Sequence, residues 1–372
     1  MPACIMLVCI VLVCIMLAAC GTPGAPMPPE LELARPVTDL RAARKGDRVF
    51  LAWTVPAQTT DHQTVRHPGP TRICRSFSLE IGDCKTPAAE IPAARFPVPP
   101  FDSKRGAAAP RIQATYTDTL LQDLQTQNPT ALITYALSVL NESGRSAGLS
   151  NMVQVPSAPT LSPPENFSAT VKSDGVLLSW DCSPAAGEGD PHIGHRVRIY
   201  RREQSKQNAA PRPAKISDTD FANCSQPQYL DQTFEWEKSY DYFASVATVV
   251  SLPGKPEVEV EGIDSAVVPV FAHDTFPPAA PTGLQAVFSG VGQAPFVDLV
   301  WAPDTDADLA GYNIFRREDG SQPVKLNADP LKAPAYHDTS VQSGKKYFYT
   351  VAAIDERNNQ SAPSEEASEQ VP

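Results

Sequence analysis

Positive charge is in short supply throughout this chain. Against 42 aspartates and glutamates stand 31 lysines and arginines, for a net charge of −11. An acidic body of this kind is not drawn to a phosphate backbone or an anionic bilayer surface, which excludes nucleic acid as a partner. Phosphate chemistry is missing as well, since no glycine-rich stretch follows a strand and opens a helix, and no serine is read in a nucleophile-elbow pattern. The six histidines, at 62, 67, 192, 195, 273 and 337, form only two close pairs. Neither pair has the cysteines or acids that complete a zinc set. Asp304, Asp306 and Asp308 alternate in the manner of a calcium loop, but the turn glycine and terminal glutamate that such a loop needs are not at the required spacing. No metal, cofactor or catalytic residue is therefore assigned, and the chain is read as a non-enzyme.

Proline is abundant instead. The chain carries 38 prolines in 372 residues, about twice the ordinary share of roughly 5%, which suits strands, turns and linkers better than helices. The residues from Met1 to Ala19 contain no charged side chain and form one apolar run. That run is long enough for a secretory signal and short for a membrane span. It ends in Leu17-Ala18-Ala19-Cys20-Gly21, which resembles the bacterial lipoprotein signal, although the Lys or Arg usual before the run is absent. The resemblance implies signal cleavage before Cys20, lipidation of its sulfur, and membrane attachment through that N-terminal lipid. Gly21 in place of a retaining aspartate implies outer-membrane sorting in a two-membrane cell. The alternatives are an ordinary signal peptide cleaved near Ala19 and an uncleaved anchor. Several acyl chains, at about 0.8 kcal/mol per buried methylene, hold a soluble body on a bilayer. The Gly/Pro-rich stretch 20–33 then acts as a tether.

Three segments repeat: "VFLAWTVP" (49–56), "VLLSWDCSP" (176–184) and "VDLVWAPDT" (297–305). Each alternates apolar and polar residues into a tryptophan and then a turn, the pattern of a half-buried strand. Trp53, Trp180 and Trp301 lie one small domain apart, so the chain is an internal array. Arginine-bearing strands follow in "RICRSFS" (72–78), "HRVRIYRRE" (195–203) and "GYNIFRRE" (311–318), read with their arginines on the wet side. Tyr135, Tyr242 and Tyr349 then hold equivalent places in a third strand. These residues, and "NESGRSAGLSN" as the turn into a final strand, resemble the fibronectin type III family. The resemblance covers nearly everything after residue 34 and is strongest in the third repeat. It implies an all-β chain of three tandem immunoglobulin-like β-sandwiches after the signal, each of seven antiparallel strands with the tryptophan between sheets. The domains are placed at 34–156, 159–270 and 276–372. Pattern alone implies only all-β domains.

Two insertions, roughly 57–71 and 87–113, interrupt the first repeat and read as loop decoration or as binding loops. Proline-marked linkers at 155–165 and 269–281 hold neighbouring domains in a semi-rigid row. Outside the leader and Cys20, four cysteines remain, an even number that suggests disulfides in an oxidising compartment. The family alignment implies the pairs Cys74–Cys84 and Cys182–Cys224; four free buried thiols are the alternative. Phe101, Phe234 and Trp236 are candidate ligand contacts, with a local hydrophobic plug as the plainer reading of Trp236. The expected function is a lipid-anchored, non-catalytic envelope module. Its partner would be an envelope protein or, alternatively, a polysaccharide or cell wall. An enzyme site in the first repeat's insertions is the third reading.

Overall fold

The computed structural model describes residues 31–93, 111–181, 190–205, 211–220 and 227–372, apart from 291 and 293. Cys20, Phe101, Cys182 and Cys224 lie outside these described residues. Strands run in chain order. The first repeat holds β1 (Arg41–Lys45), β2 (Arg48–Thr54), β3 (Pro68–Ser76), β4 (Ala89–Ile91), β5 (Gln113–Thr119), a short helix α1 (Gln122–Gln127), β6 (Leu132–Asn141) and β7 (Val153–Pro156). The second holds β8 (Glu165–Lys172), β9 (Gly175–Asp181), β10 (Ile193–Glu203), β11 (Ala214–Asp220), β12 (Gln228–Asp231), β13 (Ser239–Val250), β14 (Val258–Glu261) and β15 (Val268–Phe271). The third holds β16 (Gln285–Ser289), β17 (Phe296–Val300), β18 (Leu309–Glu318), β19 (Val324–Lys325), β20 (Ala335–Asp338), β21 (Lys346–Asp355) and β22 (Ala367–Gln370).

One plan recurs. Three paired strands, β1-β2-β5, β8-β9-β12 or β16-β17-β20, carry the tryptophan segment on or just after the central one, the first set continuing through Lys45 and Glu261 into β14. Four-stranded sheets carry the tyrosine strand of the first and third repeats, and β13 carries that of the second. Those four-stranded sheets are β4-β3-β6-β7 and β19-β18-β21-β22. Strand alternation explains the core, because a period of two puts Val49, Leu51 and Trp53 on one face. Those three are at most 2% exposed. The same V-x-L-x-W spacing buries Val176, Leu178 and Trp180, then Val297, Leu299 and Trp301. From the facing sheet come Ile133, Tyr135 and Leu137; Tyr240, Tyr242 and Ala244; and Tyr347, Tyr349 and Val351. Burying each large apolar side chain contributes about 1.5–3 kcal/mol, which outweighs the cost of the indole N–H groups of Trp180 and Trp301, buried without an acceptor. The result is three separate cores, one per repeat.

Contacts along the chain group these repeats into two compact units. One comprises residues up to Thr160 with Thr248–Glu261, the other Leu161–Ala247 with Gly262–Pro372. The hairpin Thr248–Glu261 joins the first unit for a physical reason. Val250 and Val260 bury with Ala158 in a small cluster of their own, and Thr248 Oγ1 donates to the Pro159 carbonyl at 3.0 Å. Glu261 pairs with Lys45, and its carbonyl accepts from Gly46 N–H at 2.7 Å. Gly46, with φ of 61°, opens the two-residue turn between β1 and β2, a conformation glycine adopts without steric cost.

Candidate functional site

The arginine strands are not uniformly wet. Arg75, Arg201 and Arg316 each reach over the three-stranded sheet to a buried aspartate at its edge. Arg75 Nη1 lies 2.6 Å from Asp118, Arg201 Nη1 2.8 Å from Asp231, and Arg316 Nη1 2.7 Å from Asp338. The tyrosine that aligns in every repeat completes the set, with Tyr135, Tyr242 and Tyr349 donating to the same Oδ2 at 2.6, 2.9 and 3.0 Å. In "YRRE" and "FRRE" the period of two explains the split. Arg201 and Arg316 turn inward, whereas Arg202 and Arg317 face out to Asp241 and Glu366.

Sequence reading aligned the tyrosines and missed the aspartates. The available signal was the constant separation of 11 residues in Asp231–Tyr242 and Asp338–Tyr349, which α1 stretches to 17 in the first repeat. Burial pushes the Asp338 carboxyl up, but hydrogen bonds from Ser340 and the Arg316 guanidinium outweigh it and hold the group below the usual carboxylate range. Burial and Asp338 together push the Tyr349 hydroxyl up. Each network is closed upon itself, which suits a structural role.

Other candidate groups also find protein partners. Asp274, Asp308 and Asp355 present carboxylate oxygens within 4.8 Å of one another, and the Arg357 guanidinium stands among them, 3.4 Å from Asp274 and 3.2 Å from Asp308. Asp355 accepts from the backbone N–H groups of Arg357 and Asn359 and from the Asn359 amide. In the acidic turn, Asp304 accepts from Asp306 N–H at 3.0 Å and its own N–H donates to Tyr312 Oη at 2.7 Å. His62 meets Arg35 and His67 meets Glu32, so that histidine pair does not converge. The segment Gly144-Arg145-Ser146-Ala147-Gly148 has the spacing of a nucleophile elbow, a match that the reading of this stretch as a turn passed over. It forms an exposed turn before β7, in which Ser146 Oγ bonds Gly148, and no helix follows.

Of the candidate ligand contacts, Phe234 and Trp236 are described, and both are half-buried against the second repeat's core. Their rings meet edge-on at 4.7 Å, and Trp236 also approaches Phe276 at 6.2 Å. Cys74 and Cys84 are joined in a disulfide with a Cα separation of 5.5 Å. An apolar cleft of about 270 Å³ opens in the first repeat, lined by residues of both sheets, among them Trp53, Val65, Ile91, Ile112 and Val139.

No protein-family model matches the chain. It is 26% identical over 212 residues to an amylopullulanase of Thermoanaerobacterium saccharolyticum, covering 54% of this chain and 15% of that enzyme. It is 36% identical over 114 residues to the amylopullulanase of Thermoanaerobacter thermohydrosulfuricus, covering 30% and 7%. Over 92 residues it is 35% identical to exoglucanase B of Cellulomonas fimi, covering 24% and 8%. The chain thus spans at most 15% of the length of these relatives. Among solved structures, an Fn3-like protein from Clostridium thermocellum is 31% identical, covering 26% of this chain and 96% of that one, with a TM-score of 0.22. The chicken CNTN1 FN1–FN3 domains are 14% identical, covering 90% and 98%, with a TM-score of 0.26. The repeats are fibronectin type III-like β-sandwiches.

Proposed function

We propose that this chain is a non-catalytic accessory array for polysaccharide, exported and held at the cell envelope by lipid on Cys20. The observation that carries the reading is its similarity to segments of glucan-processing enzymes, each segment a small part of a much longer protein. Support for a non-catalytic role comes from chemistry. Among the described residues, the buried carboxylates at the Arg–Asp–Tyr networks and around Arg357 are neutralised by neighbouring cations and hydroxyls. None of these sets leaves a general acid or base beside an open cleft.

The test is electrophoresis of the full-length chain through native gels containing amylopectin or a soluble β-glucan. Retardation relative to a polysaccharide-free gel is the expected result, and unchanged mobility in both gels overturns the binding role. A second reading, a protein-contacting spacer, is favoured by one observation. The relatives' names attach them to different glucans, which fits segments that space other domains and do not themselves select a linkage. Unchanged mobility would leave the spacer standing.

A further inference from the structure

The outer face of the third repeat's three-stranded sheet is built differently from its neighbours. Alternation sends Ala286, Phe288, Val297, Leu299 and Tyr336 to the core and leaves Val287, Phe296, Asp298, Val300 and His337 on the far side. The register places Val287, Asp298 and His337 in one row across the three strands, with Phe296 beside them on β17. Val287 is 53% and Val300 46% exposed. His337 Nδ1 meets Asp298 Oδ1 at 2.7 Å, both side chains about half exposed, at 51% and 47%. The Phe296 and His337 rings lie 4.1 Å apart. Gly290, with φ of 98°, lets the turn after β16 pass close to the Phe296 ring, where a Cβ would stand 3.2 Å from Cδ1.

We infer that this face, centred on Phe296, Asp298 and His337, is a contact surface for a short stretch of neutral glucan, an inference that rests on the polysaccharide reading above. Three strands give a flat strip about 10 Å across. The C–H face of a pyranose packs on aromatic and aliphatic surface, here Phe296, Val287 and Val300. Its hydroxyls need donors and acceptors at the edge of that surface. The half-exposed imidazole–carboxylate pair supplies them, because the contact between Nδ1 and Oδ1 uses one polar atom of each group and leaves Nε2 and Oδ2 for a ligand. Asp298 beside His337 offers no concentrated charge of either sign, which disfavours a polyanion or a polycation. The corresponding face of the first repeat exposes Phe50 at 46%, but its register partners are Ala43 and Thr117. That face has the ring and lacks the pair.

The experiment runs the full-length wild type, Phe296→Ala, His337→Ala, Asp298→Asn and the control Phe50→Ala in the amylopectin and β-glucan gels, with thermal unfolding to confirm each fold. Wild type and Phe50→Ala should be retarded alike. Phe296→Ala and His337→Ala should each weaken apparent affinity about tenfold, the loss of one well-placed contact. The gel that retards wild type distinguishes α- from β-linked glucan. A retarded wild type with equally retarded Phe296→Ala and His337→Ala overturns this inference and leaves the polysaccharide reading intact. A wild type retarded by neither gel overturns both. A wild-type dimer in sedimentation that Phe296→Ala dissociates, with retardation unchanged, assigns the face to a second copy and also overturns the inference.

Discussion

Asp338 illustrates how much a single buried charge matters here. Its side chain is 2% exposed and serves Arg316, Tyr349 and Ser340 at once. Replacing it by Ala leaves a guanidinium and a phenol facing an empty site, and should cost the third repeat about 3 kcal/mol, because breaking a buried pair strands the partner's charge. Opening the exposed Arg317–Glu366 pair, though bidentate at 2.7 Å, should cost far less, since solvent screens both groups. Urea unfolding of Asp338→Ala and Glu366→Ala measures the contrast. The pH dependence follows from the depressed Asp338 carboxyl. A carboxyl whose folded pKa is lowered stabilises the fold above its unfolded value, about 3.9, and loses that contribution as pH falls through the folded pKa. The gap between wild type and Asp338→Ala should therefore be constant near neutrality and close only below about pH 3.9. A gap already closing at pH 6 would contradict this assignment. The tyrosines of these networks were legible because they recur in matching strings. Their aspartates were not, since a lone Asp at the end of a strand reads like any of the 42 acidic residues.

Elements were far easier to read than partners. The V-x-L-x-W strands announced themselves because burial on one face forces strict alternation, and the tyrosine strands because they face the same core. What stayed illegible was where a hairpin goes after it leaves its sheet. Thr248–Glu261 belongs to the second repeat by sequence and to the first unit by packing, a matter settled by Ala158, Val250 and Val260 finding one another across long sequence separations. The Cys74–Cys84 bridge makes a testable statement about one such element. Cys74 sits in β3 and packs with Ile81 and Ala136, so the disulfide, spanning 10 residues, fastens the loop after β3 to the sheet behind it. Chain entropy for so short a loop amounts to about 3 kcal/mol. Cys74→Ala with Cys84→Ala should lower the first repeat's melting temperature by about 10 °C and leave that of the third repeat unchanged. Equal shifts in both would mean that the bridge acts on the whole chain and not on its own loop.

At the scale of the whole molecule, the acidic sandwiches and the residues before them make separate demands. A body of net charge −11 is repelled by an anionic bilayer, so the envelope attachment proposed above would have to be hydrophobic and not electrostatic. No described helix is long and apolar enough to cross a membrane, and the anchor proposed here is the lipid on Cys20. If lipid on Cys20 is that attachment, Cys20→Ser should move the protein from the membrane pellet to the soluble fraction and abolish labelling by a palmitate analogue. The expected effect is close to complete, because several acyl chains at about 0.8 kcal/mol per methylene exceed any residual attraction of the sandwiches by a wide margin. The substitution falls outside the folded repeats, so unfolding curves of the released protein should match those of wild type and separate loss of anchoring from loss of structure. A Cys20→Ser protein that remains in the pellet, folded and unlabelled, would overturn the lipid anchor and assign attachment to the uncleaved apolar run from Met1 to Ala19.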